Sequence, residues 1–241
     1  SMKIALVSPY DFSHPGGVTV HITHLERWFT SWGHEVRIIA PCSSPPSHPN
    51  VIRVGQHPVP VPSGGSIARI TLSLTLYPTV KAILEREKFD VVHIHEPLTP
   101  MLPLVVLRLS KALNVGTFHA YHRKPRGYGL SRFILRRWIK RLDGRIAVSE
   151  PAHQFISRHF PGEYVIIPNG VDMHHFTPQV APMESLVDGM KNILFVGRME
   201  KRKGLAYLLE AYAQVKQVEP RARLVVVGPG TRPVEASAVW A

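Results

Sequence analysis

The chain has 241 residues, of which 44% are hydrophobic, with a formal net charge of +12 and one cysteine. This length supports one large domain or two modest ones, and no run of about 18 apolar residues predicts a transmembrane helix. One cysteine excludes an internal disulfide and is typical of a reducing compartment, so Cys42 is interpreted as a small half-buried hydrophobe. No signal peptide is expected before Lys3, and Ser1 is interpreted as a remnant of tag removal.

Strands and helices alternate along the first part of the chain. Apolar runs and helical spacing predict, in order, strand Lys3–Ser8, helix Val18–Trp32, strand Glu35–Ala40, a loop over Pro41–Gly65 with a short strand Val51–Val54, helix Ile67–Glu87, strand Phe89–His95, helix Met101–Leu113 and strand Val115–His119. There follow a polar loop His122–Gly129, helix Ser131–Leu142, strand Arg145–Ser149, helix Pro151–Phe160 and strand Tyr164–Pro168. This order predicts an α/β fold with a Rossmann-like doubly wound parallel sheet.

A second unit begins after a polar, proline-containing stretch. The predicted organisation is a first domain over residues 2–178, a linker over 179–190 and the incomplete start of a second Rossmann-like domain over 191–241. The second unit is predicted to contain strand Asn192–Val196, helix Leu205–Gln217 and strand Arg223–Val227. Because two parallel strands cannot bury both faces of a sheet, we interpret this unit as the opening of a longer domain.

Two loops at strand ends are candidates for binding an anion. Gly16 and Gly17 precede a helix whose first N–H groups favour a phosphate, although an ordinary tight turn is the alternative. The full G-x-G-x-x-G pattern is missing, which argues against a dinucleotide enzyme. The second loop carries a run of cations, Arg198, Lys201, Arg202 and Lys203. A guanidinium and an ammonium that converge there would neutralise a leaving diphosphate, and a solvated charge run is the alternative.

Histidines follow two neighbouring strands. His93 and His95 share a strand face beside Glu96, so metal ligation is conceivable, but we interpret them as structural groups and expect no metal. His119 at a carboxyl strand end could hydrogen-bond a substrate hydroxyl or relay a proton. Asp-x-Asp, Gly-x-Ser-x-Gly and P-loop motifs do not occur in the sequence.

The helix predicted over Ser131–Leu142 is amphipathic and basic. Its apolar stripe comprises Leu135, Trp138, Ile139 and Leu142, and its cations are Arg132, Arg136, Arg137, Lys140 and Arg141. This pattern is typical of a helix on an anionic bilayer, and equally of a helix that packs its stripe on the sheet and leaves a solvated basic face. The charge also suits nucleic acid, but no helix-turn-helix or aromatic sheet motif supports that partner, so none is expected.

An ordered set of motifs spans nearly the whole chain. It comprises Ser8-Pro-Tyr-Asp, Pro15-Gly-Gly-Val, Gly33-His-Glu-Val, Ser66-Ile-Ala-Arg, Phe89-Asp-Val-Val-His-Ile-His-Glu-Pro, Thr117-Phe-His, Gly144-Arg-Ile-Ala-Val-Ser, Ile167-Pro-Asn-Gly-Val-Asp, Phe195-Val-Gly-Arg and Arg202-Lys-Gly. With these motifs the chain resembles retaining glycosyltransferases of family 4, which have the two-Rossmann GT-B fold. Within that family it looks most like phosphatidylinositol mannosyltransferases.

The resemblance implies roles for individual residues. The first domain would bind a lipid or polyol-phosphate acceptor, with contacts from Tyr10, Thr19, Ser66, Arg69 and His119. The second would bind a nucleotide sugar, GDP-mannose above others, whose diphosphate would contact Gly16, Gly17, Arg198 and Lys203. His119, Arg198 and Lys203 would be catalytic, with no cofactor and no metal. The expected location is cytoplasmic, peripheral at the inner face of the membrane.

Three departures from the family pattern leave alternatives open. Thr19 stands where the mannosyltransferases carry Gln, and Ser63-Gly64 stands where they carry Tyr-Asn. The family's two glutamates eight positions apart do not occur, so this chain alone is predicted not to transfer sugar. The alternatives are a family 4 transferase with a soluble acceptor and a non-catalytic module that binds lipid or nucleic acid.

Overall fold

A computed structural model describes residues 1–14, 16–55, 57–63, 66–70, 74–120 and 131–229, with only the backbone at 62–63, 66–68 and 70. The predicted loop His122–Gly129 and the chain after Pro229 lie outside these residues. By contact, the chain divides into two compact units, Ser1–Val61 with Ile67–Gly170, and Pro62–Ser66 with Val171–Ala241. Among the described helices, none combines the length and the hydropathy needed to span a bilayer.

The first unit is built on a seven-stranded parallel sheet. Its strands and those of a small hairpin are β1 (Lys3–Val7), β2 (Glu35–Ala40), β3 (Val51–Arg53), β4 (Val59–Ser63), β5 (Ser66–Ile70), β6 (Val91–His95), β7 (Leu113–Phe118), β8 (Gly144–Ala147) and β9 (Val165–Ile166). Its helices are α1 (Gly17–Ser31), α2 (Leu76–Glu87), α3 (Leu102–Leu109), α4 (Ser131–Ile139) and α5 (Glu150–His159). The sheet order is β3-β2-β1-β6-β7-β8-β9, while β4 and β5 form a separate two-stranded sheet. The predicted α/β fold with a parallel sheet is confirmed.

The strand order reverses between β1 and β6. From β1 the chain proceeds outward to β2 and β3, and from β6 it proceeds the other way to β7, β8 and β9. Open α/β sheets bind ligands at such a switch point, outside the carboxyl ends of the strands. The loop after β1 contains Gly16, and the turn after β6 contains Glu96, so the fold itself places the predicted site residues there.

Alternation along β1 divides the core into two layers. Ile4 and Leu6 pack in a cluster with Ile22 of α1, whereas Ala5 and Val7 belong to the larger cluster formed with α2 to α5. Successive side chains of a strand point to opposite faces, so a central parallel strand must be apolar throughout. Cys42 is buried in the α1 layer, and burial raises the pKa of its thiol to about 11.

The second unit contains two parallel strands and one α-helix. They are β10 (Lys191–Val196), α6 (Leu205–Val218) and β11 (Ala222–Val227); a short 3-10 turn, Glu184–Leu186, precedes β10, and a second, Lys201–Lys203, lies between β10 and α6. β10 and β11 pair in parallel from Lys191 with Ala222 to Val196 with Val227. These elements match the predicted strand–helix–strand pattern.

Two local predictions are wrong. The helix predicted over Ile67–Glu87 is a strand over Ser66–Ile70 and a helix that begins only at Leu76, with 71–73 outside the described residues. The physical reason is that apolar residues at 67 and 70 suit either structure, and pairing with β4 favours the strand. Trp32, predicted as the last residue of the helix Val18–Trp32, lies just past the last helical residue and is 63% exposed.

Candidate functional site

The loop after β1 leads into an open helix N-terminus. Gly16 is the N-cap of α1, and no side chain there accepts a hydrogen bond from the first turn. The first N–H groups of a helix have no intrahelical partner, and together with the helix dipole they favour an anion. A Cβ built at Gly16 or Gly17 meets nothing within 4 Å in the described part of the chain. The fold therefore leaves open space in front of these N–H groups.

Asp11 ties this loop to two neighbouring segments. Its Oδ1 accepts hydrogen bonds from the N–H groups of Ser13 and Ser43, both at 3.0 Å, and its own N–H donates to the carbonyl of Arg69 at 2.8 Å. Burial opposes ionisation, but these N–H donors and His14 lower the pKa of Asp11. Sequence analysis assigned Asp11 no role, yet it is the residue that holds the strand of Arg69 beside the first loop.

Three other predicted acceptor residues lie near the same loop. The Ser8 hydroxyl donates to the carbonyl of Tyr10 at 2.9 Å, and burial, helped by the charge of Glu96, raises the pKa of Tyr10. Thr19 is in the first turn of α1 and its carbonyl accepts from the hydroxyl of Thr23 at 2.9 Å. Ser66 is the first residue of β5, and the structure describes only its backbone.

The histidines at the ends of β6 and β7 form one hydrogen-bonded group. His95 Nδ1 lies 2.9 Å from His119 Nε2, so one of these nitrogens donates to the other. His93 Nε2 is 2.6 Å from Thr117 Oγ1, and the rings of His93 and His95 stack with centroids 4.5 Å apart. This pairing follows from the register of the sheet, in which His95 is the partner of Thr117 and His119 is two residues further.

Glu96 connects the two strand ends. Its Oε1 accepts hydrogen bonds from the backbone N–H groups of His119 at 2.5 Å and Ala120 at 2.7 Å. Its φ of 49° lies in the left-handed region, which costs energy for a residue other than glycine. Burial raises the pKa of Glu96, although the two N–H donors act in the opposite sense. The buried carboxyl group of Glu96, carried by a strained backbone, thus fixes the segment that carries His119.

His21 of α1 completes the cluster. Its ring lies edge-on to those of His95 and His119, with centroids 5.5 and 5.4 Å away. Burial lowers the pKa of His21, and burial with neighbouring imidazoles lowers the pKa of His119 to about 3 and that of His93 to about 4. These imidazoles are therefore neutral at physiological pH. Sequence analysis missed His21, because nothing in the helical pattern distinguishes it from a residue beside the apolar stripe.

The cationic loop belongs to the second unit. Arg198 follows β10 and its guanidinium forms an ion pair with Glu200 at 3.2 Å, and Arg202 pairs with the same carboxylate at 3.0 Å. The exposed Lys203 ends the 3-10 turn, and Gly204, with φ of 77°, then caps α6 without a side-chain hydrogen bond. Glu200 is thus a partner for Arg198 that sequence analysis did not identify.

Helix α4 exposes apolar residues beside its cations. The predicted stripe is confirmed, since Leu135, Ile139 and Leu142 are buried and Trp138 is partly buried. Phe133 and Ile134, however, are 63% and 66% exposed. The guanidinium groups of Arg132 and Arg136 both lie 5.7 Å from the Phe133 ring. Arg137 and Lys140 are exposed.

Arg141 differs from the other cations of this segment. Its guanidinium donates to the carbonyls of Leu107 at 2.8 Å and Ser110 at 3.0 Å. These acceptors lie at the end of α3, where carbonyl groups lack helical partners. Arg141 therefore stabilises the packing of α3 against the end of α4, a role the basic pattern did not predict.

Comparison with protein families identifies the family of this chain. Residues 15–175, more than half of the chain, match the family described as Glycosyltransferase Family 4. The chain belongs to glycosyltransferase family 4. Residues 182–238 match the description Glycosyl transferases group 1, so both units find counterparts among glycosyltransferases. The predicted family is confirmed.

Individual family 4 relatives and solved structures agree with this assignment. A phosphatidyl-myo-inositol mannosyltransferase of Mycobacterium tuberculosis is 36% identical over 230 residues, which cover 95% of this chain and 61% of that protein. Among solved structures, sucrose-phosphate synthase of Thermosynechococcus elongatus matches with a TM-score of 0.68 at 20% identity, over 97% of this chain and 63% of that one. HepE of Anabaena in complex with UDP-glucose matches with a TM-score of 0.63 at 15% identity, over 94% and 60%. The chain therefore spans about 61% of the length of the curated mannosyltransferase.

Proposed function

We propose that the protein containing this chain is a retaining mannosyltransferase that transfers mannose from GDP-mannose to phosphatidylinositol. The observation that carries this proposal is the 36% identity to a phosphatidyl-myo-inositol mannosyltransferase over 95% of the chain. The first unit contributes the acceptor side, and the second contributes the start of the nucleotide-sugar side.

In the proposed reaction, the residues described above act mainly by stabilising charge. The bond between C1 of mannose and the diphosphate breaks, a bond from C1 to an inositol oxygen forms on the same face, and the hydroxyl proton passes to the leaving diphosphate. Arg198, Lys203 and the open N-terminus of α1 at Gly17 stabilise the charge of that diphosphate. The neutral His119 hydrogen-bonds the sugar, and Arg69 faces the acceptor phosphate.

The test is a transfer assay with the protein extended to the length of the curated mannosyltransferase. Labelled GDP-mannose is offered with vesicles of phosphatidylinositol, with soluble inositol phosphate, or with vesicles of phosphatidylserine. We expect label in phosphatidylinositol alone, with the anomeric configuration of the donor retained in the product. Transfer to inositol phosphate only would replace the proposal by the soluble-acceptor alternative.

The absence of transfer with any acceptor, from a protein that melts cooperatively, would instead favour the non-catalytic lipid-binding alternative. A run with UDP-glucose in place of GDP-mannose tests the donor. Equal or faster transfer from UDP-glucose would contradict the choice of GDP-mannose while leaving the acceptor proposal in place. This chain alone serves as a further control and is expected to give no product.

The exposed face of α4 supports attachment to the inner face of the membrane. Phe133 and Ile134 are exposed on the same helix as the exposed cations Arg136 and Arg137. Apolar side chains that enter the headgroup region beside cations are the features of helices that lie on anionic bilayers. We place Arg132, Arg136, Arg137 and Lys140 against lipid phosphates. The proposed contacts exclude Arg141, whose guanidinium is occupied by carbonyls of α3.

Charge reversal on α4 tests this attachment. The double variant Arg136→Glu/Arg137→Glu is compared with the wild-type chain in co-sedimentation with vesicles of anionic lipid. Each basic side chain near such a surface contributes about 1 kcal/mol, so the variant is expected to bind at least about tenfold more weakly. The matched control Lys81→Glu/Arg158→Glu changes the net charge equally at exposed positions of α2 and α5 and is expected to bind nearly as wild type. If both variants lose the same binding to the vesicles, attachment depends on net charge and α4 is not the attachment surface.

A further inference from the structure

Three histidine side chains from separate elements converge beside the switch point. They are His21 of α1, His95 at the end of β6 and His119 just past β7, and each offers a ring nitrogen within 4.8 Å of the other two. No ion is bound. Their convergence is a product of the fold, because the three residues are far apart in sequence.

The spacing of two of these nitrogens already suits a shared metal ion. His95 Nδ1 and His119 Nε2 are 2.9 Å apart. Zinc binds histidine nitrogen at about 2.0–2.1 Å, so two nitrogens on one zinc ion lie about 3–3.5 Å from each other. His21 has to approach by about 1 Å to reach the same geometry. Because His21 is only half-buried at the start of a helix, a rotation of its side chain can supply that movement.

The two closest ligand nitrogens pair with each other in the described structure. His95 is fully buried, with Nδ1 facing His119 Nε2, while its other ring nitrogen, Nε2, has no hydrogen-bond partner among the described residues. A metal ion bound to His95 Nδ1 and His119 Nε2 therefore replaces the hydrogen bond that joins these two nitrogens. His93 is not part of this set, since its Nε2 already contacts Thr117 Oγ1 at 2.6 Å. The site therefore has three ligands rather than four.

The surroundings of the cluster hold one ligand in place. Glu96 accepts the backbone N–H groups of His119 and Ala120, which fixes the segment that carries the His119 ring. Fixing this backbone limits the positions that the His119 ring can take up, which favours a preformed ligand. Three imidazoles with no carboxylate select zinc, nickel or copper over magnesium or calcium, which prefer oxygen ligands.

We propose that His21, His95 and His119 form a binding site for a divalent transition-metal ion, Zn²⁺ in particular, and that its occupancy inhibits sugar transfer. Binding places Nε2 of His119 on the metal and leaves a fourth coordination position for water, so that a hydrated divalent cation lies beside the group proposed to contact the sugar. The inhibitory effect rests on the function proposed for this site, whereas the binding of metal does not.

Binding is tested on the purified chain, free of any polyhistidine tag, with Co²⁺ as a spectroscopic probe and Zn²⁺ as competitor. We expect one Co²⁺ per chain, visible bands of a four-coordinate nitrogen site, and their loss when Zn²⁺ is added. Removing an outer hydrogen-bond partner of a ligand already costs 10–100-fold in affinity, so His21→Gln is expected to weaken binding at least about tenfold. The matched control is His24→Gln, one turn further along α1 and outside the cluster, which is expected to bind like wild type.

Three results would contradict the proposal that these histidines bind a metal ion. These are no metal-dependent bands, equal weakening by His21→Gln and His24→Gln, or a thiolate-to-cobalt charge-transfer band, which would place the ion at Cys42. Inhibition is measured separately, as the ratio of transfer rates with and without Zn²⁺ in the longer protein. A ratio that falls in wild type and His24→Gln but less in His21→Gln supports the inhibitory role. Tight binding without any change in the ratio overturns that role and leaves the metal site standing.

Discussion

Replacing His119 by alanine is expected to lower the turnover number of mannosyl transfer by about 10²–10³-fold in the longer protein, as loss of one preorganised hydrogen-bonding group does. The imidazole is held by His95 at 2.9 Å, and the backbone N–H of His119 is held by Glu96. Its pKa of about 3 means that it meets the sugar as a neutral group. An alanine can occupy the same backbone position but cannot replace this contact.

The measurement is steady-state kinetics with GDP-mannose and phosphatidylinositol vesicles, with thermal unfolding of each variant as a check on folding. His24→Ala is the control, because His24 lies on α1 outside the histidine cluster. We expect the control to remain within about threefold of wild type, the range expected of a residue that makes no transition-state contact. A turnover number for His119→Ala equal to that of the control would remove His119 from the proposed reaction.

The second large effect is expected at the cationic loop of the second unit. Arg198→Ala and Lys203→Ala should each reduce the turnover number by about 10²–10³-fold, because cations fixed where charge develops act mainly in the transition state. Arg198 is paired with Glu200 at 3.2 Å, so a diphosphate has to compete with this carboxylate. The double variant should cost less than the product of the two single effects, since both residues act on one group.

Arg202→Ala is the matched control for this loop. Arg202 contacts the same Glu200 carboxylate at 3.0 Å and carries the same charge, but it is not one of the proposed diphosphate contacts. We expect its turnover number to stay within about threefold of wild type. If Arg202→Ala is as slow as Arg198→Ala, the loop acts through its overall charge and the assignment of Arg198 to the diphosphate is wrong.

The sequence was informative wherever one periodicity was strong. The apolar runs at β1 and at the start of β6 predicted buried parallel strands, because strands covered on both faces lack polar alternation. The pattern failed at residues 67–70, where spacing suited a helix and a strand equally. There the decision came from pairing with β4, a contact between segments that no local pattern encodes.

Part of the candidate site could be predicted from the sequence, and part could not. The positions of the glycine loop, His119, Arg198 and Lys203 after strands could be predicted, because apolar runs and ordered family motifs are visible along the chain, whereas the roles of these residues stay predictions. The role of Asp11 could not be predicted, because its side chain accepts hydrogen bonds from backbone N–H groups, one of which belongs to Ser43, 32 residues further along the chain. Backbone hydrogen-bonding partners leave no trace in residue type.

Residue chemistry and family membership were therefore properties of the amino-acid sequence, and the tertiary structure decided which side chains meet. His21, His95 and His119 come together only because α1 follows β1 at the switch point and β6 pairs in register with β7. The exposure of Phe133 and Ile134, and the use of Arg141 by α3, depend equally on how α4 packs. Such contacts join segments distant in sequence, and their geometry is set by the packing of the whole sheet rather than by any local pattern.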